Sequence, residues 1–370
     1  MSSSMKLIWG CIAAIAFGAA DAADVRINKS LNEEIVMVKN GSGVFSTELE
    51  TTLFKPKGGG PFPLVVINHG KESGNPRFQA RTRYTIAARE FVRRGYAVLV
   101  PMRGGFSRSS GNYIGGGCNP AGNGVEQAKD VRAVLDYART LPFVDHERVI
   151  VMGQSHGGLT TMAFGTEPYP GVLGLVNFAG GLKLSDCAGW EGSLVRAFGS
   201  FGGKTRYPTL WFYGDNDSYW PKETVAEMFA AYTGAGGKAR LVSFGTFKGD
   251  AHGMFGDRDG LSIWWPEVEK FLTELGLPTR VQPREEADDP ASRKLREAGQ
   301  ATFLSESCRK LYQAFLDGDS PRAFATSEKG RCGYATGADD LKKRAIDFCR
   351  GKTDQACSLY VVDDEVVAGR

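Results

Sequence analysis

The chain has few histidines, no dominant charge and no long hydrophobic run, and each shortage removes classes of function. Only 4 histidines occur among 370 residues, so a general base has very few candidates. The 45 basic residues nearly balance 42 acidic ones, for a net charge of +3, which argues against a nucleic-acid partner. A charged fraction of 24% with 11% aromatic residues excludes a disordered or collagen-like chain.

The first 22 residues have the pattern of a secretory signal peptide. Lys6 precedes an apolar run over 7–17, and Ala20-Asp21-Ala22 provides the small residues of a cleavage site. The run is too short for the ~20 residues that a membrane-spanning helix needs. We therefore expect cleavage near Ala22, no membrane span afterwards, and export to the periplasm or to the medium.

Cleavage would leave an even number of cysteines, which favours disulfides in an exported protein. No C-x-x-C spacing indicates a zinc site, and we expect neither a metal nor a cofactor. Two cysteines lie in insertions after predicted strands, and the other four lie in the last eighty residues. The favoured pairs are Cys118–Cys187, Cys308–Cys332 and Cys349–Cys357, the last two being one of three possible pairings.

Short apolar runs alternate with stretches of helical spacing through the first three quarters of the chain. Runs without alternation predict strands buried on both faces, and strands that alternate with helices predict an α/β fold with a mostly parallel, doubly wound sheet. An alternating segment at Val44–Pro56 predicts an antiparallel strand ahead of them. The predicted strands are Leu64–Ile67, Ala97–Val100, Val149–Met152, Leu173–Val176, Leu210–Phe212 and Arg240–Val242; the predicted helices are Thr85–Arg94, Gly124–Leu141, Leu159–Gly165, Lys222–Thr233 and Leu261–Leu275.

The composition of the sequence changes after Pro278, where charged residues and prolines replace the alternating strands and helices. We expect the α/β domain to cover 23–279 and a charged, proline-containing linker to cover 280–292. The remaining 293–370 predicts a small α+β module whose four cysteines would compensate for a small core. Its predicted elements are a helix over Arg293–Leu316, strands at Ala323–Thr326 and Cys332–Thr336, a helix over Asp339–Arg350 and a strand or hairpin over Ser358–Val367.

A G-x-S-x-G motif follows one of the buried strands. Gly153-Gln154-Ser155-His156-Gly157 lies between the strand Val149–Met152 and a helical stretch. In that setting the glycines allow a sharp turn that exposes the serine hydroxyl at the edge of the sheet. The motif therefore predicts Ser155 as a nucleophile.

The base and the acid are sought by position in the predicted sheet. His252 lies in a loop after a late strand and is the predicted base, since His146 lies at the opposite end of the sheet and His156 neighbours the serine. Asp215 and Asp217 both follow the strand before it, which gives the chain order Ser, Asp, His. Spacing alone does not choose between them; we favour Asp217 and expect Asp215 to bond turn amides.

Two backbone N–H groups are predicted to form the oxyanion hole. One belongs to His156, which opens the helix after the serine, and the other to Lys71, in the loop after the first parallel strand. We expect His69 to pack and to form hydrogen bonds; Arg103 could hold its loop by hydrogen bonds or face the substrate, and we favour the first role. Aromatic residues that could line an acyl pocket or belong to the core are Phe106, Tyr113, Trp190, Tyr219, Trp220 and Phe255.

The order of these motifs resembles that of the α/β-hydrolases, in particular their dienelactone hydrolase-like branch. The resemblance covers roughly 44–278 and rests on His69-Gly70, Arg103-Gly104-Gly105, Gly153–Gly157, Gly214-x-x-Asp217 and Asp250-Ala251-His252. It implies an α/β-hydrolase fold, hydrolysis of a carboxylic ester or lactone through an acyl-enzyme, and Asp217 as the acid. The namesake enzymes use a cysteine nucleophile where this chain has Ser155, so dienelactone itself is not the expected substrate.

Two other functions compete with an esterase. Prolyl-oligopeptidase-type peptidases share the order of the three residues, but they usually carry a large N-terminal propeller, and only about twenty residues lie between the predicted cleavage site and the first predicted strand. A non-catalytic binding protein on the same scaffold is the third possibility, and the complete set Ser155, Asp217 and His252 argues against it. The expected partner is a small ester or lactone, and the sequence predicts no oligomeric state.

Overall fold

A computed structural model describes residues 27–43, 46–115, 118–183, 187–282, 290–318, 321–336 and 340–367. The chain divides into two compact units: Asn28–Arg293, here called the larger unit, and a second that contains Lys294–Arg370, here called the smaller unit. The predicted signal peptide over 1–22 lies outside the described residues, as does most of the predicted linker over 280–292.

A sheet of eight strands forms the centre of the larger unit. Its strands are β1 (Glu34–Asn40), β2 (Thr47–Phe54), β3 (Phe62–Asn68), β4 (Ala97–Pro101), β5 (Val144–Gln154), β6 (Val172–Phe178), β7 (Thr209–Tyr213) and β8 (Ala239–Ser243). They lie in the order β1-β2-β4-β3-β5-β6-β7-β8. The pairs β1–β2 and β2–β4 are antiparallel, and the other five pairs are parallel. The predicted mostly parallel, doubly wound sheet is confirmed.

Helices cover both faces of this sheet, which is why its strands lack alternation. Within β3, Leu64 and Val66 join one buried cluster while Val65 and Ile67 join the cluster on the opposite face. Apolar side chains are therefore required at every position of such a strand. The helices are α1 (Thr85–Val92), α2 (Pro120–Ala138), α3 (His156–Phe164), α4 (Trp190–Gly202), α5 (Lys222–Gly234) and α6 (Leu261–Glu274).

Two elements of the larger unit were not predicted. β1 is an edge strand in which only Val38 is buried, so it shows neither a continuous apolar run nor a clear alternation. α4 follows Cys187, in one of the two cysteine-containing insertions for which the sequence analysis predicted no helix. Its buried residues do follow helical spacing: Leu194, Ala197, Phe198 and Phe201. The glycines around them disfavour a helix, so the sequence alone did not predict one.

A buried ion group fastens the segment before β1 to the loop before α1. The side chain of Glu33 has no solvent exposure and lies 2.9 Å from Arg81. It also accepts hydrogen bonds from Nε of Arg83, at 2.6 Å, and from the backbone N–H of Asn28. Burial tends to raise the pKa of this carboxyl group, but hydrogen bonds from Arg83 and Arg81 outweigh burial and hold the pKa below its ordinary value.

The smaller unit is an antiparallel sheet between helices. Its elements are α7 (Pro290–Gly299, which begins in the larger unit), α8 (Glu306–Leu316), β9 (Arg322–Ser327), β10 (Cys332–Thr336), α9 (Leu341–Arg350), β11 (Cys357–Val362) and β12 (Glu365–Val366). The strand order is β10-β9-β11-β12. The single helix predicted over Arg293–Leu316 is in fact two, because Ser305 begins a new helix and accepts a hydrogen bond from the N–H of Cys308 at 3.3 Å.

Three disulfides join the six cysteines that follow the predicted cleavage site. The pairs are Cys118–Cys187, Cys308–Cys332 and Cys349–Cys357, the same pairs that the sequence analysis favours. The first lies in the larger unit, and the other two lie in the smaller one. No helix within the described ranges combines the length and the apolar character needed to span a membrane.

Candidate active site

Ser155 stands on a strained turn between β5 and α3. Its backbone has φ +56° and ψ −124°, a conformation that L-residues rarely adopt outside functional turns. A side chain on either neighbouring glycine would prevent this turn. A Cβ on Gly153 would lie 2.2 Å from the carbonyl oxygen of Gly157, and one on Gly157 would lie 2.1 Å from that of Asn68. The two glycines of the motif are therefore a steric requirement.

His252 and Asp217 form a buried pair at the same edge of the sheet. Nδ1 of His252 lies 3.1 Å and 3.0 Å from the two carboxylate oxygens of Asp217. The Asp217 side chain has no solvent exposure, and that of His252 is 14% exposed. Oδ1 of Asp217 also accepts hydrogen bonds from the N–H groups of Tyr219 and Trp220, at 2.9 and 3.2 Å. This arrangement fixes the orientation of the imidazole.

Asp215 does not have the surroundings that the sequence analysis expected. Its carboxylate lies 3.2 Å from the ammonium group of Lys222 and is partly exposed, while the turn amides are bonded by Asp217. A shift of two positions in the same turn thus separates a surface ion pair from a buried contact with His252. A further carboxylate contacts the histidine loop. Asp250 accepts hydrogen bonds from the N–H of His252 and from the hydroxyl of Ser218, at 2.9 and 2.7 Å.

The residue that precedes the serine is bonded to the main chain of His252. Nε2 of Gln154 donates to the main-chain carbonyl of His252 at 2.7 Å, which ties the turn that carries the serine to the loop that carries the histidine. Within the described residues, no hydrogen bond joins the Ser155 hydroxyl to the imidazole. Catalytic hydrogen bonds are often long until substrate is bound.

The two residues predicted to supply N–H groups for the oxyanion hole lie near the serine along the chain or in space. A Cβ placed on Gly70, next to Lys71, would lie 3.3 Å from Cβ of Ser155, so the loop after β3 passes directly beside the serine. His156 is the first residue of α3, and a helix leaves its first N–H groups without an intrahelical partner. Lys71 therefore lies in a loop beside the serine, and His156 follows the serine at the start of α3.

The other two buried histidines are held as neutral side chains. Nε2 of His69 accepts from the N–H of Arg103 at 3.1 Å, while its Nδ1 lies 2.6 Å from the carbonyl of Gly70. His156 lies 2.6 Å from the amide oxygen of Asn123. Burial, together with the charge of Arg103, lowers the pKa of both imidazoles well below the usual value. Neither ring is placed to act as a base for Ser155.

Arg103 lies in the core behind the serine, with no exposed surface. Its Nε donates to Gln127 at 2.9 Å, and its Nη2 lies 3.2 Å from Nδ1 of His156. Burial lowers the pKa of the guanidinium group to about 10. These contacts give Arg103 the role of holding its loop, as predicted.

The aromatic candidates divide between core and surface. Phe106, Trp220 and Phe255 are buried, whereas Tyr219 is 42% exposed. The ring of Tyr219 lies 4.4 Å from that of His252, so it is an exposed aromatic surface beside the imidazole. No group of three or more metal-ligating side chains is found among the residues that the structure describes.

The larger unit has the fold of the α/β-hydrolases, with the Ser155 turn at the carboxyl end of β5. Residues 43–218 match the family of X-Pro dipeptidyl-peptidases (S15 family). No curated protein matches the chain. The predicted α/β-hydrolase fold is confirmed.

Solved structures with the same fold come from enzymes of different names. A Bacteroides ovatus protein named as a dipeptidyl aminopeptidase IV is 18% identical, with a TM-score of 0.52, over 65% of this chain and 35% of that chain. A Klebsiella pneumoniae protein that carries the name dienelactone hydrolase is 18% identical, with a TM-score of 0.45, over 66% of this chain and 99% of that one. Esterase Pf2001 of Pyrococcus furiosus is 16% identical, with a TM-score of 0.48, over 67% and 93%. At these identities the likeness concerns the fold.

Proposed function

We propose that the larger unit is a serine hydrolase that cleaves carboxylic esters or lactones through an acyl-enzyme. Ser155 would be the nucleophile, His252 the base and Asp217 the acid that orients it. The observation that carries the proposal is the buried Asp217–His252 pair, with Nδ1 3.0 Å from Oδ2, at the sheet edge where Ser155 occupies its strained turn.

The reaction would proceed in two halves. Nε2 of His252 removes the proton of the Ser155 hydroxyl as its oxygen attacks the substrate carbonyl, and the resulting imidazolium returns that proton to the leaving alcohol. Water then attacks the acyl-enzyme with His252 again as base. The N–H groups of Lys71 and His156 would stabilise the oxyanion in both halves; loss of one such donor typically costs ~10²–10³ in kcat.

The surroundings of Asp217 support its role. A carboxylate that accepts two backbone N–H groups and has no solvent exposure has a fixed position relative to the ring. It therefore keeps the proton of His252 on Nδ1 and leaves Nε2 free to accept the serine proton. The surface ion pair of Asp215 with Lys222 gives that residue no such contact.

A peptidase is the second candidate function. The match of 43–218 to the X-Pro dipeptidyl-peptidase family favours it, as does the fold shared with the protein named dipeptidyl aminopeptidase IV. The same three residues would serve either reaction, since both pass through an acyl-enzyme and an oxyanion. The choice between ester and amide therefore depends on the groove around Ser155 rather than on the triad.

Export is part of the proposal. Disulfides persist in oxidising compartments, and three of them cross-link the described residues, in agreement with the signal peptide predicted over 1–22. We keep the smaller unit as a separate module, predicted at 293–370, and assign it no catalytic role.

A fluorophosphonate probe tests the nucleophile. We expect the wild type to be labelled, the Ser155→Ala variant to be inert, and the Ser262→Ala variant to behave as wild type, because Ser262 is an exposed serine on α6 that bonds the carbonyl of Asp259. An unlabelled wild type, or equal labelling of Ser155→Ala, would leave the non-catalytic binding protein as the better interpretation. A panel of p-nitrophenyl esters and of prolyl p-nitroanilides then separates esterase from peptidase.

A further inference from the structure

The proposed base is held by a chain of hydrogen bonds that begins outside the three catalytic side chains. Tyr84, in the loop before α1, donates its phenol proton to Oε1 of Gln154 at 3.0 Å. Nε2 of Gln154 donates to the carbonyl of His252 at 2.7 Å. These partners lie 70 and 98 residues apart along the chain, so the bonds join three separate loops.

We infer that Gln154 and Tyr84 are positioning residues that set the distance between Ser155 and the imidazole of His252. The inference rests on the proposed function. Gln154 is covalently next to Ser155, so its bond to the His252 main chain spans the two halves of the reacting pair. A shift of the histidine loop by ~1 Å is enough to lower the rate of such a reaction by about 10²-fold.

The orientation of the Gln154 amide follows from its partners. The carbonyl of His252 can only accept a hydrogen bond, so the NH₂ group of Gln154 must face it. Oε1 then faces Tyr84, whose hydroxyl must donate. Burial raises the pKa of the Tyr84 phenol to about 12, against a smaller opposing effect from the backbone N–H of Gly70. The phenol therefore remains a donor at all ordinary values of pH.

Tyr84 is itself held firmly. Its backbone is left-handed, with φ +45°, an uncommon conformation for an aromatic residue. Its ring packs 5.1 Å from that of Phe255, a buried residue in the short helical turn that also contains His252. Tyr84 thus bonds Gln154 through its phenol and packs on the histidine loop through its ring.

The opposite side of His252 is held by the acid loop. Asp250 accepts from the N–H of His252 at 2.9 Å and from the N–H of Ser218 at 3.1 Å. The ring itself is bonded to Asp217. These contacts orient the imidazole toward the acid, whereas the carbonyl bond from Gln154 draws the same residue toward the serine. Loss of the Gln154 bond should therefore change the distance to Ser155 and leave the pair with Asp217 in place.

Substitutions of similar shape separate positioning from packing. Gln154→Met removes both hydrogen bonds and keeps the volume, and Tyr84→Phe removes only the phenol. Tyr96→Phe is the matched control, because its buried hydroxyl bonds the carbonyl of Pro278 at 2.7 Å, at the start of β4 and away from the site. We expect Gln154→Met to lower kcat by about 10- to 100-fold with KM changed less than threefold, Tyr84→Phe to lower kcat by a smaller factor, and Tyr96→Phe to leave kcat unchanged.

Gln154→Glu gives a readout that a purely structural role would not. An ionised carboxylate places an acceptor against the His252 carbonyl, whereas the protonated acid can donate there and still accept from Tyr84. The inactivation rate with the fluorophosphonate probe, relative to wild type at each pH, should therefore recover as the pH falls through the pKa of the introduced carboxyl. A ratio independent of pH, or a Gln154→Met rate within twofold of wild type, would overturn the inference.

A measurement without substrate separates this inference from the proposed function. The Nδ1–H proton of His252, which is bonded to Asp217, is followed by NMR with a label on histidine nitrogen. If Gln154 positions His252, the nitrogen signal of His252 Nε2 shifts or broadens in Gln154→Met. The spectrum of Tyr96→Phe should match that of wild type. If the fluorophosphonate probe does not react with the wild type but these spectral changes are seen, only the proposed hydrolase function is refuted. If the spectra do not change, the positioning role is refuted even if the enzyme is active.

Discussion

Replacing Asp217 by Asn changes the proton position on His252 while keeping the shape of the site. Oδ1 of Asp217 is fixed by the N–H groups of Tyr219 and Trp220, at 2.9 and 3.2 Å. In the amide, only the oxygen can accept those two bonds, so the NH₂ group must take the place of Oδ2. It then faces Nδ1 of His252, where Oδ2 lies at 3.0 Å in the native protein.

An amide donor at that position reverses the tautomer of the imidazole. The amide NH₂ can bond Nδ1 only when the ring proton is on Nε2, and in that tautomer Nε2 can no longer accept the proton of Ser155. The same change of tautomer in serine hydrolases lowers kcat by about 10⁴-fold, equivalent to about 5.4 kcal/mol of activation free energy. We expect a loss of that order for Asp217→Asn at neutral pH, with KM little changed.

Asp215→Asn is the matched control, because it makes the same chemical change two residues earlier. Its carboxylate forms a partly exposed ion pair with Lys222, and exposed pairs of this kind contribute only ~0–1 kcal/mol. We expect its kcat to stay within twofold of wild type. Steady-state hydrolysis of a p-nitrophenyl ester and the rate of fluorophosphonate labelling measure both variants. Activity above a tenth of wild type in Asp217→Asn, or a 100-fold loss in Asp215→Asn, would refute the assignment.

Two further predictions concern stability. From loop-closure entropy, the Cys118–Cys187 disulfide, with a separation of 69 residues, should contribute about 4 kcal/mol to the free energy of unfolding, and the Cys349–Cys357 disulfide, with a separation of 8, about 2.5 kcal/mol. Urea unfolding of the two double Cys→Ser variants should show the larger loss for the first pair. Equal losses would contradict this prediction. Glu33→Gln should cost about 3 kcal/mol at pH 7. The pKa of this carboxyl group in the folded protein lies below its ordinary value, so the stabilisation is present above pH ~4.3 and is lost as the pH falls through the folded pKa. The difference in free energy of unfolding between Glu33→Gln and wild type should therefore shrink on acidification. A difference that stays constant with pH would argue against the ion group.

Local sequence patterns were sufficient for the sheet and for the turn that carries the serine. Six continuous apolar runs predicted the parallel strands because both faces of the sheet are covered by helices, as the opposite clusters of Leu64 and Val65 show. The Ser155 turn was predictable because Gly153 and Gly157 are sterically required within five residues of sequence. Patterns of this kind are complete within a short window of the chain.

The missed features depend on partners that are distant in sequence. β1 has few buried residues of its own and is a strand because β2 pairs with it. Gln154 looked like a variable position of the G-x-S-x-G motif, and nothing local distinguishes it; its role depends on partners 70 and 98 residues away. Spacing likewise does not choose between Asp215 and Asp217, because the contact of Asp217 with His252 joins residues 35 positions apart.

The sheet order explains why the histidine needs such support. Gln154, Phe178, Phe212 and Val242 lie level on β5, β6, β7 and β8, so three strand spacings, ~14 Å in all, separate the serine strand from the histidine strand. His252 must therefore cross above β6 and β7. After Ala179, the turn that follows β6 continues with Gly180 and Gly181, and a Cβ on Gly181 would lie 2.6 Å from the Trp220 ring, so the acid loop packs closely on this turn. The acid loop and the packing of Phe255 hold the histidine loop from one side, and the Gln154 hydrogen bond is the contact that holds it from the serine side.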